Sequence, residues 1–102
     1  MTVLERIMHI EDDPSIQEVA RVALEVVGGF TVRSCDSGAA GVAAADSFAP
    51  QLVLLDVMMP NVSGFQVCEK LKSQPSTHDI IVIMVTALNE VGDYERAVEC
   101  GT

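Results

Sequence analysis

The feature that most constrains the fold is an alternation of short apolar runs with longer segments of helical periodicity. Each run has the length of a strand, and the four runs are residues 5–10, 30–34, 51–55 and 80–85. The last two are almost continuously apolar, which is typical of strands covered on both faces. Three runs stop at an acid or a hydroxyl, and these residues are Glu11, Asp12, Asp56 and Thr86.

The segment after the first run carries the signals of a helix over residues 14–27. Asp13 is a suitable N-cap, and Pro14 fits the first helical turn. Gly28 and Gly29 end the helix, because glycine enters the left-handed region at little cost. The apolar side chains that recur at helical spacing are Ile16, Val19, Ala20, Ala23, Leu24 and Val27.

Three more helices are predicted between and after the remaining strands. The first is the alanine-rich segment 38–47, although its two glycines weaken the prediction of its length. The next follows Gly64, and its apolar positions are Phe65, Cys68 and Leu71. The last ends near Gly101, and its apolar positions are Val91, Tyr94, Ala97 and Val98.

Alternating strands and helices predict an α/β fold with a parallel sheet, helices on both faces and right-handed crossovers. In such sheets the ligand site lies beyond the carboxyl ends of the strands. We therefore expect the side chains of Glu11, Asp12, Asp56 and Thr86 to converge there.

Acidic residues outnumber basic residues 15 to 6, and the formal net charge is −9 over 102 residues. This charge argues against nucleic acid or an anionic membrane surface as a direct partner. Acidic residues also interrupt every apolar stretch before the roughly 18 residues of a membrane span. The N-terminus lacks a signal-peptide pattern, and three scattered cysteines lack metal-type spacing, so a cytoplasmic location is expected.

Carboxylates gathered at the edge of a buried sheet repel one another, and a hard divalent cation would neutralise them. Oxygen ligands without His or thiolate favour magnesium, manganese or calcium over zinc, and magnesium leaves a position for a phosphate oxygen. Asp56, on the middle strand, is the best candidate for a phosphoryl-accepting nucleophile. Thr86 would donate a hydrogen bond to that phosphate.

These motifs, in their order and spacing, resemble the receiver domain of two-component response regulators over the whole chain, residues 1–102. They are Glu11-Asp12, the Leu-Leu-Asp-Val-Met-Met-Pro segment around Asp56 with Gly64 after it, and Thr86-Ala87. The resemblance implies a flavodoxin-like, doubly wound sheet. It also implies that Asp56 accepts a phosphoryl group from a histidine kinase or phosphotransfer protein and that Mg²⁺ is the cofactor.

The resemblance further assigns a role to each matched residue. Asp12 and Asp56 would ligate Mg²⁺ directly, and Glu11 would act mainly through a bound water. Met58 would offer its backbone carbonyl to the metal. Thr86 would be the switch hydroxyl, and the backbone amide of Ala87 would reach a phosphate oxygen.

The chain departs from the family pattern at its C-terminus. The family continues with a fifth strand that carries a phosphate-pairing lysine and with a fifth helix, whereas this sequence stops at Thr102. The strand order expected is therefore 2-1-3-4, with the fifth strand and fifth helix missing. Strand 80–85 would then be a bare edge and a site of homodimerisation. Lys70 and Lys72 are expected to face solvent and not to replace the lysine.

Two alternatives compete with the phosphoacceptor reading. A dehalogenase-like phosphatase needs a second acid two residues after its nucleophile, but that position is Met58. An incomplete receiver that acts only as a protein-interaction module is the stronger alternative, because the lysine is absent. Receiver domains promote their own phosphorylation and dephosphorylation, so we expect no separate enzyme activity.

Overall fold

A computed structural model describes the backbone of residues 3–56, 64–86 and 96–99, and the side chains of residues 3–55 and 66–84. Each predicted strand in residues 5–85 is confirmed within one residue of its expected bounds. The elements in chain order are β1 (Arg6–Ile10), α1 (Pro14–Arg21, continued by a π-helical segment Val22–Val27), β2 (Thr31–Cys35), α2 (Gly38–Phe48), β3 (Leu52–Asp56), α3 (Gly64–Ser73), β4 (Ile81–Thr86) and β5 (Arg96–Glu99).

The first four strands form a parallel sheet in the order β2-β1-β3-β4, which confirms the predicted doubly wound arrangement. Parallel strands need a crossover connection, and α1, α2 and α3 supply the three that join them. All four strands therefore end at the same edge of the sheet, which we call the carboxyl edge. In the described part of the chain, no helix is long and apolar enough to cross a membrane.

The outer edge of β4 is paired, contrary to the sequence prediction. β5 runs antiparallel to β4, with Ile83 opposite Glu99 and Thr86 opposite Arg96. The prediction of a helix through residues 96–99 is therefore wrong. Only nine residues separate the two strands, fewer than a parallel crossover needs, so an antiparallel return is the available way to pair this edge. The premise of a bare edge, on which the predicted homodimer rested, fails for Ile83–Thr86.

One face of the sheet is sealed by α2 and α3. Its inward side chains alternate along the strands and are all buried: Met8, Ile10, Val53, Leu55, Val82 and Met84. Val67, Cys68 and Leu71 of α3 and Ala45 of α2 complete this core from the helix side. Burial of an aliphatic side chain of this size contributes about 1.5–3 kcal/mol. Most of the hydrophobic stabilisation of the described residues therefore lies between this face and the two helices.

The other face is covered less completely, because α1 and its π-helical continuation pack along β2. The apolar residues that recur at helical spacing along this helix are only partly buried. Ala20 and Leu24 are half-buried, but Val19 is 71% exposed and Val27 is 84% exposed. On the same side of the sheet Ile81 is 48% exposed. A helix placed at the edge of a sheet buries a narrower stripe than one placed across its centre.

The start and end of the first helix follow the sequence signals. An Asp13 carboxylate oxygen accepts hydrogen bonds from the backbone N–H groups of Ser15 at 2.8 Å and Ile16 at 3.4 Å, which confirms the predicted cap. At the other end, the Gly28 N–H donates to the Ala23 carbonyl at 3.0 Å, five residues back. Gly29 then adopts a φ of 74°, the left-handed value expected of a glycine that ends a helix.

Candidate functional site

The acidic pair Glu11 and Asp12 lies directly after β1 at the carboxyl edge. Glu11 is 4% exposed, and its backbone N–H donates to the Cys35 carbonyl at the end of β2 at 2.9 Å. A Glu11 carboxylate oxygen accepts a hydrogen bond from the Asp12 N–H at 3.0 Å, while the Asp12 side chain is exposed. The two adjacent acids therefore occupy different environments, one inside the fold and one open to ligands.

The sheet register brings the other predicted site residues to the same edge. Ile10 is opposite Leu55 across β1 and β3, so Glu11 and Asp56 each follow that pair by one residue. Asp56 is opposite Val85, and Thr86 is the next residue along β4. The backbone thus places Glu11, Asp56 and Thr86 at the ends of three adjacent strands, as the sequence predicted.

Two of the predicted contributors, Met58 and Ala87, lie outside the described residues, as do the side chains of Asp56 and Thr86. Their predicted roles therefore stay predictions. Among the side chains described, no three from His, Cys, Asp and Glu gather closely enough to hold a metal ion. The carboxylate of Asp56, the third acid of the predicted set, is not among these described side chains.

The donor chemistry at this edge fits a hard cation. Glu11 and Asp12 supply carboxylate oxygens, and Asp56 adds a third acid at the same level of the sheet. Sites made only of oxygen ligands favour Mg²⁺, Mn²⁺ or Ca²⁺. Burying an ionised carboxylate is costly unless it is hydrogen-bonded or paired with positive charge, which a bound cation would supply beside Glu11.

The two lysines of α3 lie in different surroundings. Lys70 is exposed, as predicted. Lys72 is half-buried, contrary to the expectation that it faces solvent, and its Nζ donates to the Ile80 carbonyl at 2.6 Å. Ile80 precedes β4, so this ammonium group lies at the edge opposite to Thr86.

Sequence reasoning missed one polar side chain beside the acidic pair. Gln17 lies one turn into α1, and its side-chain amide donates to the backbone carbonyls of Glu11 and Cys35, the latter at 3.2 Å. In the sequence, position 17 falls outside the apolar spacing that includes Ile16 and Val19. Its side chain is therefore expected to face solvent. Its one signal is its place four residues after the Asp13 cap, where a long side chain can reach back over the first turn.

The family model for the response regulator receiver domain matches residues 7–102. The chain belongs to this family. The match includes every predicted site residue and all of the described strands except Arg6, the first residue of β1. This confirms the predicted receiver fold and the two-component signalling class.

Curated relatives agree with this family. The receiver domain is 38% identical over 96 residues to the DNA-binding dual master transcriptional regulator RpaA of a Synechocystis species, covering 94% of this chain and 39% of that protein. It is 42% identical over 72 residues to the response regulator PleD of Caulobacter vibrioides, covering 71% of this chain and 16% of that protein. The chain therefore spans well under half the length of these relatives.

A solved structure gives the same result. The N-terminal domain of a response regulator receiver protein from Methanoculleus marisnigri superimposes with a TM-score of 0.78 at 36% sequence identity. The superposition covers 86% of this chain and 71% of that one.

Proposed function

We propose that this receiver domain is a phosphoacceptor module in which Asp56 receives a phosphoryl group from a histidine kinase or a phosphotransfer protein. The observation that carries the proposal is the register that ends β1, β3 and β4 at one edge, with Glu11, Asp56 and Thr86 following each other across it. An acyl phosphate formed there would change the surface that a partner protein contacts.

Receiver domains of response regulators generally use Mg²⁺ for phosphorylation. In this chain Asp12 and Asp56 would bind the ion directly, Glu11 would act through a water, and Met58 would contribute its backbone carbonyl. The burial of Glu11 and the exposure of Asp12 support this division, since an open carboxylate is better placed for direct ligation. When bound, the ion would offset the negative charge of the phosphoryl oxygens.

The transfer itself exchanges one bond for another. A carboxylate oxygen of Asp56 forms a bond to phosphorus as the N–P bond of the donor phosphohistidine breaks, and the histidine nitrogen leaves with the electron pair. The Thr86 hydroxyl and the Ala87 amide donate hydrogen bonds to the phosphoryl oxygens. No separate substrate turns over, so the domain acts as a switch and not as a conventional enzyme.

The test is phosphorylation of the purified chain by acetyl phosphate with Mg²⁺, followed by intact-protein mass measurement. We expect the mass of one phosphoryl group on the wild type, none on Asp56→Asn, and an unchanged adduct on Asp46→Asn, because Asp46 is an exposed residue of α2. Fluorine NMR with beryllofluoride and Mg²⁺ gives a second readout. An adduct that persists in Asp56→Asn, or no adduct on the wild type, would contradict the proposal.

We further propose that the domain acts in the cytoplasm through protein partners and does not itself contact nucleic acid or membrane. The net charge of −9 supports this, because a phosphate backbone or an anionic lipid surface would repel the domain. RpaA is described as DNA-binding, but the similar segment covers only 39% of that protein.

A second candidate is a receiver that serves only as an interaction module without phosphoryl transfer. The exposed apolar side chains of Val19 and Val27 favour it, since such a surface is suited to protein contact. The absence of an Asp56-dependent adduct, together with Mg²⁺-independent binding of a partner, would decide for this candidate.

A further inference from the structure

We infer that Gln17 is a positioning residue for the metal site and fixes the loop that carries Glu11 and Asp12; this rests on the proposed function. Among the described side chains of α1, only that of Gln17 hydrogen-bonds to the ends of both β1 and β2.

The contacts form a closed arrangement around one carbonyl. The Cys35 carbonyl accepts the Glu11 backbone N–H at 2.9 Å and the Gln17 side-chain amide at 3.2 Å. The same amide donates to the Glu11 carbonyl. Glu11 is therefore held through both its N–H and its C=O, by β2 on one side and by α1 on the other.

This arrangement fixes the direction in which the chain leaves Glu11. The next peptide group, whose N–H belongs to Asp12, donates to the Glu11 carboxylate at 3.0 Å. Without the hydrogen bond from Gln17, the peptide group that joins Glu11 to Asp12 could rotate. The carboxylates of Glu11 and Asp12 would then move with it. A shift of this kind lowers metal affinity because ligand geometry for Mg²⁺ is strict.

The first turn of α1 sets the position of Gln17. Its backbone N–H donates to the Asp13 carbonyl at 2.9 Å in the first turn of α1. Asp13 in turn caps the helix through Ser15 and Ile16. The side chain is half-buried, so water competes only partly for the two carbonyls.

The test compares Gln17→Met, which keeps the length and loses the donor, with Gln66→Met, the same change at an exposed position of α3. Mg²⁺ affinity is measured by isothermal titration calorimetry, and amide hydrogen exchange of Glu11 and Asp12 by NMR without metal. We expect Gln17→Met to weaken Mg²⁺ binding roughly tenfold and to speed exchange at both amides. Gln66→Met should change neither quantity.

Gln17→Lys restores a donor and should return metal-free amide exchange at Glu11 and Asp12 towards the wild-type rates, which a purely structural effect of position 17 would not do. Its Mg²⁺ affinity is not used as a readout, because the added positive charge would itself repel the ion. Gln17→Lys also keeps the inference falsifiable if Gln17→Met fails to fold. If the wild type binds Mg²⁺ and Gln17→Met shows the same Mg²⁺ affinity and the same amide exchange, this inference alone is overturned. No Mg²⁺ binding by the wild type would overturn the proposed function and this inference with it.

Discussion

Gly41 of α2 lies against Ile10 of β1 so closely that a Cβ at position 41 would be 2.3 Å from the Ile10 Cδ1. Ile10 is fully buried and immediately precedes the acidic pair, so it has little room to move. Gly41→Ala gains about 1 kcal/mol of helix propensity but incurs about 1–3 kcal/mol of overpacking. We expect a net loss of about 1 kcal/mol, seen as a lower urea midpoint.

The partner variant is Ile10→Val, which removes Cδ1. In the Gly41→Ala background it should be less destabilising than in the wild type, because it relieves the contact. Additive effects of the two changes would show that the contact does not limit the packing of α2 on β1.

The Asp13 cap provides a second stability prediction. Asp13→Ala leaves the N–H groups of Ser15 and Ile16 without their side-chain acceptor and should lower the free energy of unfolding by about 1 kcal/mol. Asp13→Asn retains an acceptor and should stay within a few tenths of a kcal/mol of the wild type. Chemical denaturation followed by circular dichroism measures both, and equal losses in the two variants would contradict the capping role.

Thr77 supports the connection between α3 and β4. Its hydroxyl is buried at 1% exposure and donates to the Leu71 carbonyl near the end of α3. Thr77→Val keeps the shape but leaves that carbonyl unpaired, so we expect a loss of about 1–3 kcal/mol in denaturant unfolding. Thr31→Val, at an exposed position of β2, is the control and should change stability by less than about 0.5 kcal/mol.

The buried Cys35 thiol predicts a pH dependence at alkaline pH. Burial raises the pKa of Cys35, and a hydrogen bond from Arg33 opposes this only in part. The unfolded chain therefore releases this proton first as pH rises above about 8.5, which favours unfolding. The stabilising contribution of the thiol is complete below that pH and is lost above it.

The measurement is the free energy of unfolding between about pH 7 and 10 for the wild type and Cys35→Ala. The decline towards high pH should be shallower in the variant, because the substitution removes the contribution of the Cys35 thiol and leaves the other titrating groups in place. Parallel curves would show that Cys35 titrates alike in the folded and unfolded states.

The strands, their order and the Asp13 cap were predictable because each depends on local chemistry or on general rules of parallel sheets. The inner face of α1 was only partly predictable. Periodicity identifies an apolar stripe on a helix, but it does not show where the helix lies on the sheet, so it does not predict that Val19 and Val27 of this stripe are exposed. The segment 96–99 was also misassigned, since Ala97 and Val98 fit a helical pattern and a short edge strand equally well.

At the site, the sequence predicted which backbone positions meet at the carboxyl edge. It did not predict how Glu11 is held. That depends on Gln17 and on the Cys35 carbonyl, and a backbone acceptor has no signature in a list of side chains.

The two faces of the sheet are covered to different extents, and the acidic residues at the carboxyl edge are hydrogen-bonded to α1, the least strongly held helix of the described residues. Because α1 buries little apolar surface, it is the helix expected to detach in a partial opening while α2, α3 and the strands stay assembled. Asp13 and Gln17 would leave with it, and Glu11 would lose a restraint. Binding of a metal ion or a phosphoryl group would then suppress this opening. The fraction of molecules with a formed metal site would depend on how tightly α1 packs on the sheet.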